Sequence, residues 1–274
     1  MEDPRIRKFQ IGKDGREQED CLAVEEPLEI HLVYRVNGRL TDKSLSITMR
    51  TPGHDYELAV GFLHGEGIVE GRHSLQSVEP ILPQRPGCNV VRVALAKGTA
   101  FDPSSLERHF YATSSCGVCG KASLEALQTM HGPEMAPGRP RISRQIIPRL
   151  PGRLAEAQAV FQQTGGLHAA ALFDTQGNLV CLREDVGRHN ALDKVVGRQL
   201  LEGNLPLDES ILMVSGRTSF EILQKAWAAG IPIVAAVSAP SSLAVELAQE
   251  FGMTLIGFVR GDSFNLYSDR ERLA

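Results

Sequence analysis

Residues 211–259, ILMVSGRTSFEILQKAWAAGIPIVAAVSAPSSLAVELAQEFGMTLIGFV, decide the fold class. Three short apolar runs alternate here with two segments in which apolar residues recur at helical spacing. The runs are Ile211–Val214, Ile233–Val237 and Thr254–Val259, and the helical segments are Ser219–Ala229 and Ser241–Phe251. Strands and helices of these lengths in alternation indicate crossover connections between parallel strands. We therefore predict an α/β sandwich with parallel strand pairing in the C-terminal lobe.

The residues before this stretch complete the predicted C-terminal lobe, which we bound at 153–274. Residues 154–166 are predicted to form one helix that is ended by glycine, and a hairpin is predicted to turn at Gln176-Gly177. A further helix is predicted over 189–203, and its apolar face consists of Leu192, Val195, Val196 and Leu200.

Residues 1–110 are predicted to form a smaller α+β lobe. Alternating apolar and polar residues over 28–50 indicate two strands joined at Asn37-Gly38. A helix is predicted from Tyr56 onward, and residues 89–96 are predicted to form another strand.

Residues 111–152 are predicted to connect the two lobes. They contain a glycine-rich loop with two cysteines, a predicted helix from Ser123, and a run over 131–152 with five prolines. A short helix with Ser104 and Glu107 spaced as a capping box is predicted just before them.

The composition is ordinary for a globular protein, with 42% hydrophobic and 23% charged residues in a chain of 274. The net charge of −4 indicates neither a nucleic-acid partner nor a membrane-surface partner. The first residues, MEDPRIRKFQIGKDG, lack the apolar centre of a secretory signal, and no apolar run approaches the ~18 residues of a membrane span. We therefore expect a cytoplasmic protein.

Two of the five cysteines, Cys116 and Cys119, lie in the loop SSCGVCGK at 114–121. Glycines let backbone N–H groups turn inward, Lys121 adds a cation, and a helix is expected to begin just after the loop. Each of these features favours the thiolate, which is the reactive form of cysteine. We therefore predict reactive or ligand-binding cysteines. Small buried hydrophobic residues are predicted for the others, Cys21, Cys88 and Cys181.

The spacing C-x-x-C also fits two other chemistries. It is half of a zinc site, which a second subunit could complete, and His64-Gly65-Glu66 upstream resembles the H-x-E of zinc deaminases. However, Ser115 replaces the proline of that motif, and we expect His64 at the surface of a helix end. A dithiol redox pair would need a strand directly before the motif, which the sequence does not indicate. A zinc-stabilised binding module and a dithiol oxidoreductase remain as alternatives.

Residues 183–194, REDVGRHNALDK, lead from a predicted strand into a predicted helix, where sites often lie in α/β sheets. Asp185, His189 and Asp193 are spaced by four residues and would share a face if the helix began early. The alternative is a helix cap with ion pairs, in which a neighbouring carboxylate satisfies His189. The spacing favours this alternative.

Arginine and serine residues follow the predicted strands of the opening stretch. Ser215-Gly216-Arg217 ends the first strand, and Thr218 with Glu221 is spaced as a capping box for the next helix. Free N–H groups at a helix start suit a phosphate, especially beside an arginine. Within 240–243, Ser241 and Ser242 follow Pro240 and again place hydroxyl groups at a helix start. Arg260-Gly261 ends the last strand. We predict an anionic, nucleotide-like ligand, with an ordinary strand–helix turn as the alternative.

Several motifs, in this order along the chain, resemble those of the formate dehydrogenase accessory sulfurtransferases, the FdhD family. They are TPGHDYELAVGFLHGEGIV at 51–69, SSCGVCGKASLE at 114–125, TGGLHAAALF at 164–173, REDVGRHNALDKVVG at 183–197, the stretch 214–248, and TLIGFVRGDSFNLY at 254–267. Residues 1–25 and 131–152 lie outside the resemblance.

The resemblance implies a sulfur carrier. Such a protein accepts sulfur as a persulfide from a cysteine desulfurase. It passes the sulfur to the molybdenum cofactor, Mo-bis(molybdopterin guanine dinucleotide), before the cofactor enters formate dehydrogenase. The resemblance implies Cys116 and Cys119 as the transfer pair, with Cys116 as the persulfide carrier. It also implies a cytidine-deaminase-like three-layer sandwich in the larger lobe, without the deaminase zinc, so no bound metal is expected.

The same resemblance assigns a cofactor-binding segment at the end of the last predicted strand. The segment consists of Phe258, Val259, Arg260, Gly261, Asp262 and Ser263. Ser215, Gly216 and Arg217 are predicted to hold phosphates of the same cofactor. The sequence does not decide which desulfurase or formate dehydrogenase is the partner, or whether the chain forms a homodimer.

Overall fold

The structure, a computed structural model, describes residues 5–10, 13–81, 89–99, 101 and 132–274. The strands are β1 (Arg5–Gln10), β2 (Lys13–Glu19), β3 (Glu26–Val36), β4 (Arg39–Arg50), β5 (Leu75–Ile81), β6 (Asn89–Leu95), β7 (His168–Phe173), β8 (Leu179–Asp185), β9 (Ile211–Val214), β10 (Ile233–Ala236), β11 (Thr254–Arg260) and β12 (Ser263–Ser268). The helices are α1 (Asp55–Gly65), α2 (Leu150–Ala157), α3 (Ala159–Thr164), α4 (Arg188–Glu202), α5 (Phe220–Ala228) and α6 (Ser242–Glu250), with 3₁₀ turns at Arg72–Ser74 and Ile147–Arg149.

The larger sheet has six strands in the order β12-β11-β10-β9-β7-β8. Strands β9, β10 and β11 are parallel, which confirms the predicted pairing, whereas β7 and β12 run antiparallel to their neighbours. The carboxyl ends of β8, β9, β10 and β11 therefore lie at one edge of the sheet, beside the first residue of β7. We call this edge the carboxyl edge; it comprises His168 and residues 185–189, 215–219, 237–241 and 258–263.

Helical segments cover both faces of the six-stranded sheet, so the protein has a mixed α/β fold. On one face α4, α5 and α6 bury Leu192, Ile222 and Leu247 against alternate strand residues. On the other face α2 and the preceding 3₁₀ turn bury Ile147 and Leu150. Alternation along each short strand places apolar side chains on both faces, as expected for a sheet that is covered on both sides.

A four-stranded sheet, ordered β4-β3-β6-β5, packs its apolar face against α1. Helix α1 in turn lies against α4, and their backbones touch at two glycines. A Cβ atom at Gly61 would lie 1.9 Å from the Asp193 carbonyl oxygen, and one at Gly197 would lie 1.8 Å from that of Glu57. Glycine at both positions therefore sets the distance between the helices, and through them the position of the carboxyl edge.

The hairpin of β3 and β4 confirms the predicted turn, because both Asn37 and Gly38 have positive φ angles, of 49° and 78°. The predicted single helix over 154–166 is wrong. The backbone leaves helical geometry at Gln158, and the carboxylate of Glu184 accepts bonds from the N–H groups of Val160 and Phe161 at 3.0 and 2.8 Å. A side chain from β8 thus starts a second helix.

The proline-rich connector is shorter than predicted, since helical turns begin at Ile147 rather than after residue 152. Strands β1, β2, β5 and β12 were not predicted. The helix expected near Ser104 and Glu107 and the helix expected from Ser123 lie outside the described residues. The proposed boundaries at residues 110 and 152 remain predictions.

Candidate functional site

The predicted transfer pair, Cys116 and Cys119, lies outside the described residues, as does Cys88. Cys181 is buried in the core, as predicted, and burial raises the pKa of its thiol. Cys21 is only partly buried, so the prediction of a fully buried residue is wrong there.

The predicted cofactor segment lies at the turn between β11 and β12 and presents an aromatic ring with a cation. Phe258 has a positive φ of 51° and is 36% exposed, and the Arg260 guanidinium lies 5.5 Å from its ring centre. Gly261 makes the turn with a φ of 52°, and Ser263 Oγ donates to the Arg260 carbonyl at 3.1 Å. Val259 is buried in the core, so only its backbone faces the edge.

Ser215-Gly216-Arg217 lies two strands away at the same edge, directly after β9. Ser215 Oγ accepts a hydrogen bond from the Ala169 N–H at 2.9 Å, so this side chain is used to join β9 to β7. Arg217 is exposed. The loops after β9 and β10 are joined through Thr218, whose N–H donates to the Ala239 carbonyl and whose carbonyl accepts from Ser241. Hydrogen bonds therefore join the loops of this edge to one another, and Arg217 is exposed on the surface that they form.

The predicted capping box of Thr218 and Glu221 is wrong. Helix α5 begins one residue later, with Ser219 as its N-cap and no side-chain capping bond. Glu221 instead contacts His189, and Thr218 Oγ1 is buried with no hydrogen-bond partner in the part of the chain described. The serine cap predicted near residue 241 is confirmed, because Ser241 Oγ accepts from the Ala244 N–H of α6 at 3.2 Å.

Ion pairs account for Asp185, His189 and Asp193, as the spacing favoured. Asp185 pairs with Lys194 at 2.7 Å, and both side chains are fully buried. Asp193 pairs with Lys225 of α5 at 2.8 Å. His189 Nε2 lies 2.9 Å from Glu221 Oε2, and this hydrogen bond lowers the pKa of the Glu221 carboxyl. The three residues do not form one catalytic face, because α4 begins only at Arg188.

Two residues that the sequence did not single out complete the carboxyl edge. His168 begins β7, and Arg188 begins α4. Burial first, and then the charges of Arg188 and His189, lower the pKa of His168. No sequence motif links His168 and Arg188, because they begin different elements. The pairing of β7 with β9 brings them beside Gly216.

His64 is buried in α1, and the prediction that it lies at the surface is wrong. Its Nδ1 lies 2.8 Å from the Val69 carbonyl oxygen, and burial lowers its pKa. The groups that act on its pKa besides Val69 belong to α4 and α5, namely Asp193, Lys225 and Ala228, so it is the packing of α1 against these helices that buries it.

Residues 23–274 match the FdhD/NarQ family. The chain belongs to this family. It is 52% identical over 260 residues to the sulfur carrier protein FdhD of Streptomyces coelicolor, covering 93% of this chain and 89% of that protein. It is 45% identical over 275 residues to the sulfur carrier protein FdhD of Sulfurisphaera tokodaii, covering the whole of both chains.

The fold of this FdhD/NarQ family member is shared by a crystal structure from Desulfotalea psychrophila, of a protein described as a formate dehydrogenase accessory protein. That structure has a TM-score of 0.72 and 24% sequence identity, and covers 99% of this chain and 98% of the other. The family match begins after β2, as expected from the resemblance, but it includes residues 131–152, so the expectation that this segment lies outside the family is wrong. None of the described helices has the length and apolarity needed to cross a membrane.

Proposed function

We propose that this chain is a sulfurtransferase that carries sulfur from a cysteine desulfurase to the molybdenum cofactor of formate dehydrogenase. The observation that carries the proposal is its identity, over nearly full length, to proteins named as sulfur carriers. The loop at 114–121 supplies the two cysteines that such a role needs. The carboxyl edge supplies exposed cations for the cofactor.

The transfer step is redox-neutral and needs only thiols. The thiolate of Cys116 attacks the outer sulfur of the donor persulfide, the donor sulfur–sulfur bond breaks, and the donor cysteine leaves as a thiolate. The thiolate of Cys119 can then attack the outer sulfur of the new persulfide and take it over, while Cys116 leaves as a thiolate. The second cysteine can thus accept the sulfur from the first.

Mo-bis(molybdopterin guanine dinucleotide) is the cofactor that we propose for the carboxyl edge. Arg217 and Arg260 are exposed, and arginine grips phosphate oxygens in bidentate fashion. The exposed ring of Phe258 gives a guanine base a surface on which to stack, beside the cation of Arg260. The backbone of Val259, Gly261 and Asp262 and the hydroxyl of Ser263 complete this segment. When bound, the cofactor supplies the metal that receives the sulfur.

We propose that the larger lobe is a cytidine-deaminase-like three-layer sandwich, supported by helical segments on both faces of the six-stranded sheet. Cysteine desulfurase and formate dehydrogenase are the proposed protein partners.

Sulfur loading tests the function directly. The full chain is incubated with a cysteine desulfurase and cysteine, and the sulfur that cyanide releases as thiocyanate is counted. We expect one releasable sulfur per chain in the parent protein and in Cys88→Ala, and none in Cys116→Ala. Equal loading of Cys116→Ala and the parent would refute the assignment.

Two further measurements separate the alternatives. Stoichiometric zinc held by both Cys116 and Cys119 would favour the binding module, and rapid reduction of insulin disulfides would favour the oxidoreductase. In cells whose only copy of the gene carries Cys116→Ala, we expect formate dehydrogenase activity to be lost while the protein still accumulates.

A further inference from the structure

Arg188 is a cation at the carboxyl edge whose charge is one of those that lower the pKa of the nearby Glu221 carboxyl, after the hydrogen bond from His189. The side chain is partly buried, and its Nε atom is buried with no hydrogen-bond partner in the described part of the chain. A buried donor without a partner costs free energy, so such groups commonly mark a place where something else binds.

The position of Arg188 at the start of a helix makes its positive charge more unfavourable. It is the first residue of the 15-residue helix α4, whose first turn has no acidic residue. The start of a helix carries partial positive charge, so carboxylates are favoured there and arginine is disfavoured. A local rule broken in this way without compensation is typical of functional sites.

The neighbouring carboxylates are already used. Asp185 accepts the Gly187 N–H at 2.8 Å and pairs with Lys194. Glu221 pairs with His189. Neither carboxylate forms an ion pair with Arg188.

His168 and the side-chain stem of Arg188 both come close to Gly216. A Cβ atom built on Gly216 would lie 3.3 Å from His168 Nδ1 and 3.8 Å from Arg188 Cδ. The imidazole, the arginine and the backbone of the loop after β9 therefore converge on one point of the edge. Arg188 and His189 of α4 are the charged groups that face His168.

We propose that Arg188 and His168 bind a phosphate group of a nucleotide ligand at the carboxyl edge, in a subsite separate from Arg260. This inference rests on the proposed function, which places a guanine dinucleotide at the same edge. Bidentate contact with the guanidinium and a hydrogen bond from the imidazole would satisfy the oxyanion, and its charge would offset the cationic start of α4.

The subsite is too far from Arg260 for one phosphate group to contact both. His168 is on β7 and Arg260 is on β11, and β9 and β10 lie between these strands. Neighbouring strands are about 4.8 Å apart, so the two positions are separated by roughly 14 Å. A ligand that uses both arginines must carry phosphates at two places.

The experiment measures binding of inorganic pyrophosphate and guanosine diphosphate to the full chain by isothermal titration calorimetry. The starting protein carries Arg217→Gln and Arg260→Gln, which remove the two arginines that are proposed above to contact the cofactor phosphates. We expect both ligands still to bind, and the addition of Arg188→Gln to weaken both by about tenfold or more. Arg198→Gln, at the exposed end of the same helix, is the matched control and is expected to change nothing.

The pH dependence reports on His168, with sulfate as the probe because its charge stays constant near neutral pH. Burial first, and then nearby cations, lower the pKa of the free imidazole, whereas a bound anion favours its protonated form. We therefore expect sulfate to bind more tightly at about pH 6 than at about pH 8. His168→Gln should remove most of this difference without affecting the fold.

Equal pyrophosphate binding with and without Arg188→Gln would overturn the subsite and leave the proposed sulfur-carrier function untouched. Binding of pyrophosphate but not of guanosine diphosphate would overturn the nucleotide assignment. Conversely, loss of persulfide loading at Cys116 with an intact Arg188 effect would contradict the proposed function alone. The two ideas therefore fail separately.

Discussion

Helix α4 differs sharply between its middle and its first residue. In the middle, Asp193 and Lys194 are buried and each is paired with an opposite charge at 2.8 and 2.7 Å. At the start, Arg188 has a buried Nε without a partner among the residues described. One helix thus contains both a fully compensated ionic core and an uncompensated cation.

This contrast distinguishes charged residues that maintain the fold from charged residues that are available to bind a ligand. Charges in the middle of α4 join it to α5 and to the six-stranded sheet, so changing them should destabilise the protein. Arg188, Arg217 and Arg260 are not engaged in ion pairs within the described chain, so changing them should leave stability intact. The predictions below test this separation.

The largest stability effect is expected for Asp193→Ala. It would leave the Lys225 ammonium buried without its partner, and breaking a buried pair in this way typically costs about 3–5 kcal/mol. The free energy of unfolding from urea titrations measures the loss. A double variant, Asp193→Leu with Lys225→Met, should recover much of it, and no recovery would show that the pair is not the cause.

A smaller loss is expected for Gly61→Ala. The added methyl group would meet the backbone of α4 at 1.9 Å from the Asp193 carbonyl oxygen, and such overpacking usually costs about 1–3 kcal/mol. The control is Gly152→Ala in α2, where a Cβ atom would have no neighbour within 4 Å. Equal melting temperatures for the two variants would contradict the close contact between α1 and α4.

The buried imidazole of His64 should make stability depend on pH. Burial lowers its pKa in the folded state, so the unfolded chain binds more protons, and stability rises with pH. This contribution is complete above the unfolded pKa of about 6.5 and is lost as pH falls through the folded value. Urea titrations from neutral pH to about pH 5 should show the decline, and His64→Gln should flatten it. Part of the slope should persist, because His54 and His168 also have lowered pKa values.

The smallest stability effects are expected at the carboxyl edge. Arg188→Gln and Arg217→Gln should each change the free energy of unfolding by less than about 0.5 kcal/mol, since neither side chain has an ion pair to lose. Differential scanning calorimetry is the measurement. A loss as large as that of Gly61→Ala would mean that these arginines maintain the fold, against the comparison drawn above.

Sequence patterns predicted the elements whose periodicity is regular. The strands and helices of 211–259 appear within two residues of their predicted bounds, because short apolar runs and amphipathic helices have clear periods. Strand β12 was missed, although the turn at Gly261 between two runs rich in apolar residues was a usable signal. The break at Gln158 had no local signal, since it depends on Glu184, which is distant in sequence.

The candidate site was predicted only in part, for a related reason. Arg217 and Arg260 follow predicted strands directly, so strand ends pointed to them. His168 and Arg188 became neighbours of Gly216 only through the antiparallel insertion of β7 between β8 and β9, which no local pattern encodes. Similarly, the burial of His64 reflects packing of α1 rather than its own residue type.

Binding of guanosine diphosphate tests the central claim most directly, namely that the carboxyl edge holds the cofactor while the cysteine loop holds the sulfur. We expect the free protein to bind this nucleotide, and Arg217→Ala and Arg260→Ala each to weaken binding by about 1.5–3 kcal/mol. Arg39→Ala, exposed on the four-stranded sheet, should bind like the parent. All four proteins should load sulfur at Cys116 equally. If the parent protein does not bind guanosine diphosphate, or if Arg217→Ala, Arg260→Ala and Arg188→Gln all bind it like the parent, the carboxyl edge does not hold the cofactor and the central claim is wrong.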